Sequence, residues 1–174
     1  MNRLILLVAL MATALAAAAC GSSKDPAPAG NATDRAFVSE MLPHHKSAVA
    51  MAQIAQARGT TPFVKKLSSD IIRTQTEEIT TMRSQDAGLA KRGVKVGKLG
   101  ISMDAMGMSM DTGSLKTATP FDPAFLRMML PHHAGAITMA KIELAKGKDP
   151  ALKKLATEII SAQQREIGAM RASL

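Results

Sequence analysis

The chain has 174 residues and a formal net charge of +8, so its length suits one compact domain and its basic excess is modest. It contains a single cysteine, which excludes both a disulfide within the chain and a thiolate metal cluster. With no tryptophan, no tyrosine and four phenylalanines, it lacks a stacking surface for single-stranded nucleic acid, and no nucleic-acid partner is predicted.

The first twenty residues have the order of a bacterial export signal. Arg3 supplies a positive start, residues 4–15 form an uncharged apolar run, and small residues then lead to Cys20. The run is short for a membrane-spanning helix. Small residues directly before a cysteine resemble a lipobox, in which the signal is cut before the cysteine and the thiol is acylated. We predict a lipoprotein signal peptide over residues 1–19, lipidation of Cys20 and anchoring on the outer face of the cytoplasmic membrane. The alternative is an ordinary signal peptide with an incidental cysteine.

Residues 20–33, which follow the predicted cleavage point, are rich in glycine, serine, proline and alanine. This composition is typical of flexible linkers, because it offers few side chains that a core could bury. We predict that this segment tethers a folded domain to the membrane.

The rest of the chain contains a duplicated unit. A shift of 88 residues aligns residues 34–83 with residues 122–171 without a gap, and 25 of the 50 aligned positions are identical. The sequence MLPHH occurs in both copies. A match of this length indicates that one structural unit was duplicated. We predict one domain over residues 34–174, with repeats at 34–83 and 122–174 related by a pseudo-twofold axis.

Each repeat is predicted to form two helices. In the first helix, residues that suit a core recur at alternating spacings of four and three from Phe37 to Ala55, which marks one helix face. Gly59 and Pro62 end this helix and begin the second, which is predicted to extend to Arg83. Two such hairpins bury their apolar faces by packing together. The predicted fold class is therefore all-α, a four-helix bundle made of two duplicated helical hairpins.

Pro43 and Pro131 directly precede the two histidine pairs. A proline inside a helix removes one backbone hydrogen bond, so the periodicity predicts a bend beside each pair. The alternative is that the first helix begins near Pro43, where proline is favoured.

All four histidines of the chain belong to the repeated motif, as His44-His45 and His132-His133. Adjacent helical residues point about 100° apart, so His44 and His132 lie in the core seam and the other two at its flank. Methionines stand one turn before and two turns after the first histidine of each pair: Met41, Met51, Met129 and Met139. Imidazole with thioether is a soft ligand set that suits Cu(I), although imidazole also accepts Cu(II) or Zn(II). We predict copper binding, with Cu(I) favoured and zinc as the alternative.

Polar residues of the second helix also recur in both repeats, as Gln75, Glu78, Gln163 and Glu166. They could orient the imidazoles from behind or bind the metal directly. The alternative is that the histidines are buried and hydrogen-bonded to these carboxylates, which would hold the bundle together, while the methionines fill the core.

Residues 84–121, between the repeats, contain glycine and serine throughout and show little periodicity. A structureless connection of this length is usually functional or disordered. Four methionines cluster in it: Met103, Met106, Met108 and Met110. Thioethers at two- and three-residue spacing could converge on one Cu(I), and we predict that they do. The alternative is a short apolar segment that covers one end of the bundle.

These motifs together resemble a known group of proteins. The MLPHH motif followed by Met-Ala, the Gln and Glu-Ile pattern of the second helix, the duplication and the methionine-rich linker resemble the secreted bacterial proteins called domain of unknown function family 305, over residues 34–171. The resemblance implies a ferritin-like four-helix bundle, and some members are similar to periplasmic copper-binding proteins that aid copper tolerance. It also implies that the four histidines and the four methionines beside them are the ligand candidates. No glutamate stands three residues before a histidine, so the di-iron chemistry of ferritin-like enzymes is not predicted.

The sequence leads to three hypotheses for the function. The first is an exported, lipid-anchored protein that binds copper for sequestration, tolerance or transfer, with a copper donor or acceptor protein as a candidate partner. The second is a metal-dependent redox enzyme that oxidises Cu(I), and the third is a structural or interaction module of the cell envelope. The sequence shows no nucleophile–base pairing and no phosphate-binding glycine loop, so binding is favoured over catalysis.

Overall fold

The computed structural model describes residues 30–174 of the chain. The predicted signal peptide, Cys20 and residues 20–29 of the predicted tether lie outside the described residues. The helices within 30–174 are, in chain order, α1 (Ala32–Arg58), α2 (Pro62–Lys91), a 3₁₀ helix (Thr112–Lys116), α3 (Phe121–Lys146) and α4 (Pro150–Ala172).

The α-helices form two hairpins, α1 with α2 and α3 with α4, which pack on each other mainly through α1 and α3. No strand occurs within residues 30–174, so the predicted all-α four-helix bundle is confirmed. In this part of the chain, no helix has both the length and the apolar character that crossing a membrane requires.

The core consists of two clusters of buried apolar residues. One contains Met41 of α1 and Met139 of α3, and the other contains Met51 of α1 and Met129 of α3. Along α1, the cluster with Met41 comes before the cluster with Met51, whereas along α3 the order of the two clusters is reversed. The two helices therefore run antiparallel. On both helices, the histidine pair lies between the two clusters.

Capping residues explain where the helices begin. The side chain of Asn31 accepts hydrogen bonds from two backbone N–H groups of the first turn of α1, at 2.8 and 3.2 Å. Thr61 and Asp149 cap α2 and α4 in the same way, and each is followed by a proline at the first helical position. These caps set the starts of three of the four α-helices from local chemistry.

Pro43 and Pro131 lie inside α1 and α3 rather than at their starts. The alternative in which the first helix begins near Pro43 is therefore wrong, because Asn31 caps the helix well upstream. Each helix continues through its proline, since buried residues on both sides of it hold the two segments in the core. The histidine pair follows directly after the missing backbone hydrogen bond.

Two aspartates interlock the hairpins at opposite ends of the bundle. Asp34 of α1 accepts hydrogen bonds from the backbone N–H groups of Lys148 and Asp149 in the α3–α4 turn, at 2.9 and 2.8 Å. Asp122 of α3 accepts the equivalent bonds from Thr60 and Thr61 in the α1–α2 turn, at 2.9 and 2.8 Å. The two aspartates occupy equivalent positions in the repeats, so the interlock obeys the pseudo-twofold relation. Burial raises the pKa of each carboxyl, but the hydrogen bonds outweigh it and leave both pKa values below the usual range.

We expect Asp122→Ala to lower the free energy of unfolding by about 2 kcal/mol, because it leaves two turn N–H groups without their charged acceptor. Since the pKa of Asp122 is depressed in the folded state, this contribution is present at neutral pH and is lost as the pH falls below about 4. Urea unfolding followed by circular dichroism measures both effects. The control is Asp70→Ala, which removes an exposed ion pair with Lys66 and should change stability by less than about 0.5 kcal/mol. Equal losses for the two variants would contradict the interlock.

The connection between the repeats has helical structure at both ends, which corrects the prediction of a structureless segment over residues 84–121. Helix α2 runs to Lys91 rather than ending at Arg83. Its last turns show weak periodicity, but Leu89 is fully buried and Asp86 pairs with Arg35 of α1 at 2.7 Å. These tertiary contacts stabilise a stretch whose local sequence signal is poor.

Candidate metal centre

The rings of His44 and His132 meet in the middle of the bundle. Their centroids lie 3.7 Å apart with the planes tilted by 37°, and each residue is 1% exposed. The two residues are equivalent in the repeats and lie on antiparallel helices, so this contact marks the pseudo-twofold axis. The fold thus brings together the two histidines that the sequence placed in the core seam.

The hydrogen bonds of these two rings leave most of their nitrogens unpaired. His44 Nε2 lies 2.9 Å from the carbonyl oxygen of Met106, and because a carbonyl only accepts, Nε2 must carry the hydrogen. His44 Nδ1 is then a buried lone pair without a partner. Neither nitrogen of His132 has a hydrogen-bond partner among the described residues. Buried polar atoms are normally paired, so these nitrogens are candidates for binding a ligand.

His45 and His133 are held from behind by carboxylates. The Nε2 atom of each ring lies 2.7 Å from a carboxylate oxygen, from Glu78 for His45 and from Glu166 for His133. The carboxylate accepts and the ring donates, which leaves Nδ1 of each ring buried without a partner. A carboxylate behind a histidine is a common arrangement around metal-binding imidazoles, because it fixes the tautomer and the ring orientation.

Gln75 and Gln163 do not share this arrangement. Both are buried, and within residues 30–174 neither side chain bonds to a histidine. Their Oε1 atoms lack a hydrogen-bond partner. Within residues 30–174, the two glutamates form hydrogen bonds with the predicted histidines, and the two glutamines do not.

Burial keeps the central imidazoles neutral. Desolvation lowers the pKa of His44 to about 3, with the neighbouring His45 as the next cause. Desolvation likewise lowers the pKa of His132 to about 2, with His44 as the next cause. A neutral imidazole is the form that binds metal ions, so both rings are in the ligand-competent state at neutral pH.

Acidification should therefore destabilise the metal-free fold through these two rings. A base whose folded pKa is depressed makes a stability contribution that is lost as the pH falls below its unfolded pKa of about 6.5. We expect about 2 kcal/mol per ring to be lost between pH 7 and pH 5. The measurement is the difference in unfolding free energy between the unchanged chain and His44→Gln/His132→Gln at each pH. The difference between the two chains is needed because the buried Glu143 also changes the unfolding free energy over this pH range, in the opposite direction. Burial raises the pKa of Glu143 to about 8. Parallel pH profiles would contradict this account.

The four methionines predicted beside the histidines are fully buried, and they flank the His44–His132 contact in the two core clusters. Within the described residues, no group of three or more His, Cys, Asp or Glu side chains is arranged to hold one ion. A thioether from one of these methionines is the candidate third ligand for an ion at the histidine pair, and a thioether suits Cu(I).

Residues 99–110, which we call the cover segment, lie across α1 and α3 at the histidine pair. The carbonyl of Met106 is the acceptor of the His44 bond, and a Cβ atom added at Gly135 of α3 would lie 1.8 Å from the same oxygen. Gly107, at φ +68°, approaches the carbonyl of Pro131 so closely that its own Cβ would lie 2.3 Å away. The first repeat has Ser47 in place of Gly135, so only α3 offers this close approach.

The four linker methionines do not all line the same pocket. Met103 is 56% exposed and Met106 is 8% exposed, and the other two are half-buried. Three of them line one pocket against α1, while Met110 is not among its lining residues. The cover segment packs on the bundle, because the Met106 carbonyl contacts both His44 and Gly135.

Several residues that build this region were not predicted from the sequence. Asp34 and Asp122 had a usable signal, because they are identical in the two repeats. Glu40 and Gly135 had none, because the repeats differ at both positions and their roles depend on where the linker crosses.

Comparison with known proteins places the chain in a family. The family model of the domain of unknown function DUF305 matches residues 34–174. This chain belongs to the DUF305 family. The assignment confirms the resemblance found in the repeated motif.

Solved structures of similar proteins share the fold. A DUF305 fragment from Deinococcus radiodurans matches with a TM-score of 0.70 at 30% identity, covering 84% of this chain and 97% of that chain. CopM in the Cu(I)-bound form matches with a TM-score of 0.66 at 34% identity, covering 80% of this chain and 93% of that one. CopM has also been solved in Cu(II)-bound and silver-bound forms.

A viral sequence matches part of the chain. An uncharacterised protein of Acanthamoeba polyphaga mimivirus is 49% identical over 53 residues, which are 30% of this chain and 35% of that protein. The match spans about a third of the relative, so it concerns a single repeat-sized segment.

Proposed function

We propose that this DUF305 protein binds monovalent copper between α1 and α3 and serves copper sequestration, tolerance or transfer outside the cytoplasm. The observation that carries the proposal is the pair of neutral, buried rings of His44 and His132, which touch on the pseudo-twofold axis with unpaired nitrogens. Buried lone pairs of this kind are costly unless a ligand satisfies them.

The donor set favours Cu(I) over harder ions. Imidazole nitrogens and thioether sulfurs are neutral soft ligands, and the four candidate methionines flank the ring pair in the core. The carboxylates of Glu78 and Glu166, which accept hydrogen bonds from His45 and His133, offset the charge of a buried cation. The similarity to CopM, solved with Cu(I), Cu(II) and silver, supports copper binding in general.

The two other hypotheses fit the geometry less well. Oxidation of Cu(I) by oxygen needs an open coordination position, but both central rings are 1% exposed and the cover segment lies over them. A purely structural role would pair the buried histidines with hydrogen bonds, as the carboxylates do for His45 and His133. His132 has no such partner within residues 30–174.

We also propose that the protein is exported and anchored through a lipid on Cys20. The proposal rests on the sequence of the first twenty residues, which lie outside the described part of the chain. A copper donor or acceptor at the same membrane face is the partner that a transfer function implies.

X-ray absorption spectroscopy of the full chain, loaded with one equivalent of Cu(I) in detergent, tests the interior site. We expect a first shell that contains both nitrogen and sulfur scatterers, because imidazole and thioether groups are the available ligands. A shell of oxygen atoms, or failure of the chain to retain Cu(I) through gel filtration, would overturn the proposal.

A further inference from the structure

A small pocket lies on the surface beside the buried histidines, between α1 and the cover segment. Its volume is about 170 Å³, and it is lined by Ser39, Glu40, Pro43, Met103, Met106 and Met108. We propose that this pocket captures a soft monovalent cation, Cu(I) or Ag(I), and passes it to the buried histidine pair. The capture step stands on the pocket itself, whereas the destination rests on the proposed function.

The first observation is a carboxylate that bundle packing does not explain. Glu40 Oε1 accepts a hydrogen bond from the backbone N–H of Leu99 at 2.9 Å, but its Oε2 atom is buried without a partner. An unpaired carboxylate oxygen against thioethers is unfavourable by itself. A bound monovalent cation would satisfy it and cancel its charge, leaving a neutral pocket.

The repeat shows that this carboxylate is not a requirement of the fold. The position of Glu40 in the second repeat is Met128, a half-buried apolar residue of the other core cluster. The glutamate occurs only on the helix that meets the three methionines of the cover segment. Carboxylate and thioethers therefore come together where the cover segment contacts α1.

The second observation is that exposure falls along the pocket toward the histidines. Met103 is 56% exposed, Met108 is half-buried and Met106 is 8% exposed. The side chain of Met106 lines the pocket, while its carbonyl accepts the hydrogen bond from His44. One residue thus belongs to both sites, and an ion bound to its sulfur is separated from the His44 ring by a single residue.

This arrangement accounts for how an ion reaches a site that is closed to solvent. Thioethers bind Cu(I) and Ag(I) without charge and exchange them readily, so they suit a capture step. Movement of Met106 toward a bound ion would weaken its bond to His44 and free that ring to accept the ion. The alternative, an apolar cover with no binding role, requires neither sulfur nor carboxylate in the pocket.

The experiment follows transfer of Cu(I) from its coloured complex with bathocuproine disulfonate to the full chain, under anaerobic conditions in a stopped-flow instrument. The variants are Met103→Leu/Met108→Leu, which keeps the apolar cover, and Glu40→Gln, which removes the charge. We expect transfer to slow at least 10-fold in each variant, with the final affinity of the tightest site unchanged within 2-fold. Met110→Leu, a linker methionine that does not line the pocket, is the matched control and should transfer at the original rate.

The two proposals fail in different ways. Transfer at the original rate in both pocket variants would overturn the capture pocket and leave the interior site standing. In His44→Gln/His132→Gln, the pocket should still bind one equivalent of Ag(I) weakly, as measured by calorimetry. Loss of this weak binding with the pocket residues intact would also overturn the capture proposal. Full tight binding by the same variant would instead overturn the interior site.

Discussion

Cu(I) affinity should fall by about 100-fold or more when His44 and His132 are both replaced by glutamine. Even residues that only orient a metal ligand typically change metal affinity 10- to 100-fold, so loss of two ligands is expected to cost at least as much. Glutamine is neutral and of similar size, so it keeps the core filled while removing both ring nitrogens. Competition with bicinchoninate under anaerobic conditions measures the affinity.

The single variants decide whether the two halves share one ion. The rings are 3.7 Å apart between centroids, so one ion held by both predicts that either single substitution costs nearly as much as the double. Two independent sites would instead give half the stoichiometry in each single variant. Lys46→Ala is the control, because Lys46 is an exposed neighbour of the histidine pair and the second repeat has Ala134 there. Unchanged Cu(I) affinity in the double variant would show that these two histidines do not bind the ion.

The second large effect is expected at Gly135, where the cover segment touches α3. We expect Gly135→Ala to destabilise the protein by about 1–3 kcal/mol, although alanine favours helices, because the new Cβ would lie 1.8 Å from the Met106 carbonyl. The cover segment must move away, which breaks the bond between His44 and Met106. Thermal unfolding gives the stability, and release of bound Cu(I) to a chelator should become faster.

A second helical glycine supplies the matched control. Gly168 lies in α4 with nothing within 4 Å of an added Cβ, so Gly168→Ala should stabilise the protein by about 0.5–1 kcal/mol. The same chemical change is thus expected to have opposite signs at the two positions. Stabilisation of the protein by Gly135→Ala would show that the cover segment does not pack on α3 in solution.

The duplication explains why so much of the fold could be predicted. Helical periodicity and caps are local, and the bundle follows once two copies of an amphipathic hairpin must bury the same face. The spacing of apolar residues places His44 on the buried face of the first helix, which predicted that its ring lies in the core. The structure confirms this burial. The aspartate interlock obeys the repeat too, so Asp34 and Asp122 could have been predicted from their identity in the two copies.

The linker could not be predicted in this way, because its structure depends on contacts with residues far away in the chain. His44 and the Met106 carbonyl are 62 residues apart, and no periodicity relates them. The weak pattern after Arg83 favoured an early helix end, but Leu89 and Asp86 found tertiary partners that extend α2. Local propensity is a weak determinant where such contacts exist.

The amino-acid sequence by itself determined the fold class, the repeated histidine pairs and the soft character of the candidate ligands, since all three follow from residue type and spacing. Only the tertiary structure decided that the rings of His44 and His132 touch, that Met106 covers them, and that Glu40 faces three methionines. The physical reason is that duplication specifies two equivalent hairpins, whereas there is only one linker, which packs against them asymmetrically. Where the linker packs depends on steric details that appear only when the helices are packed. One example is Gly135, at whose position the other repeat has Ser47.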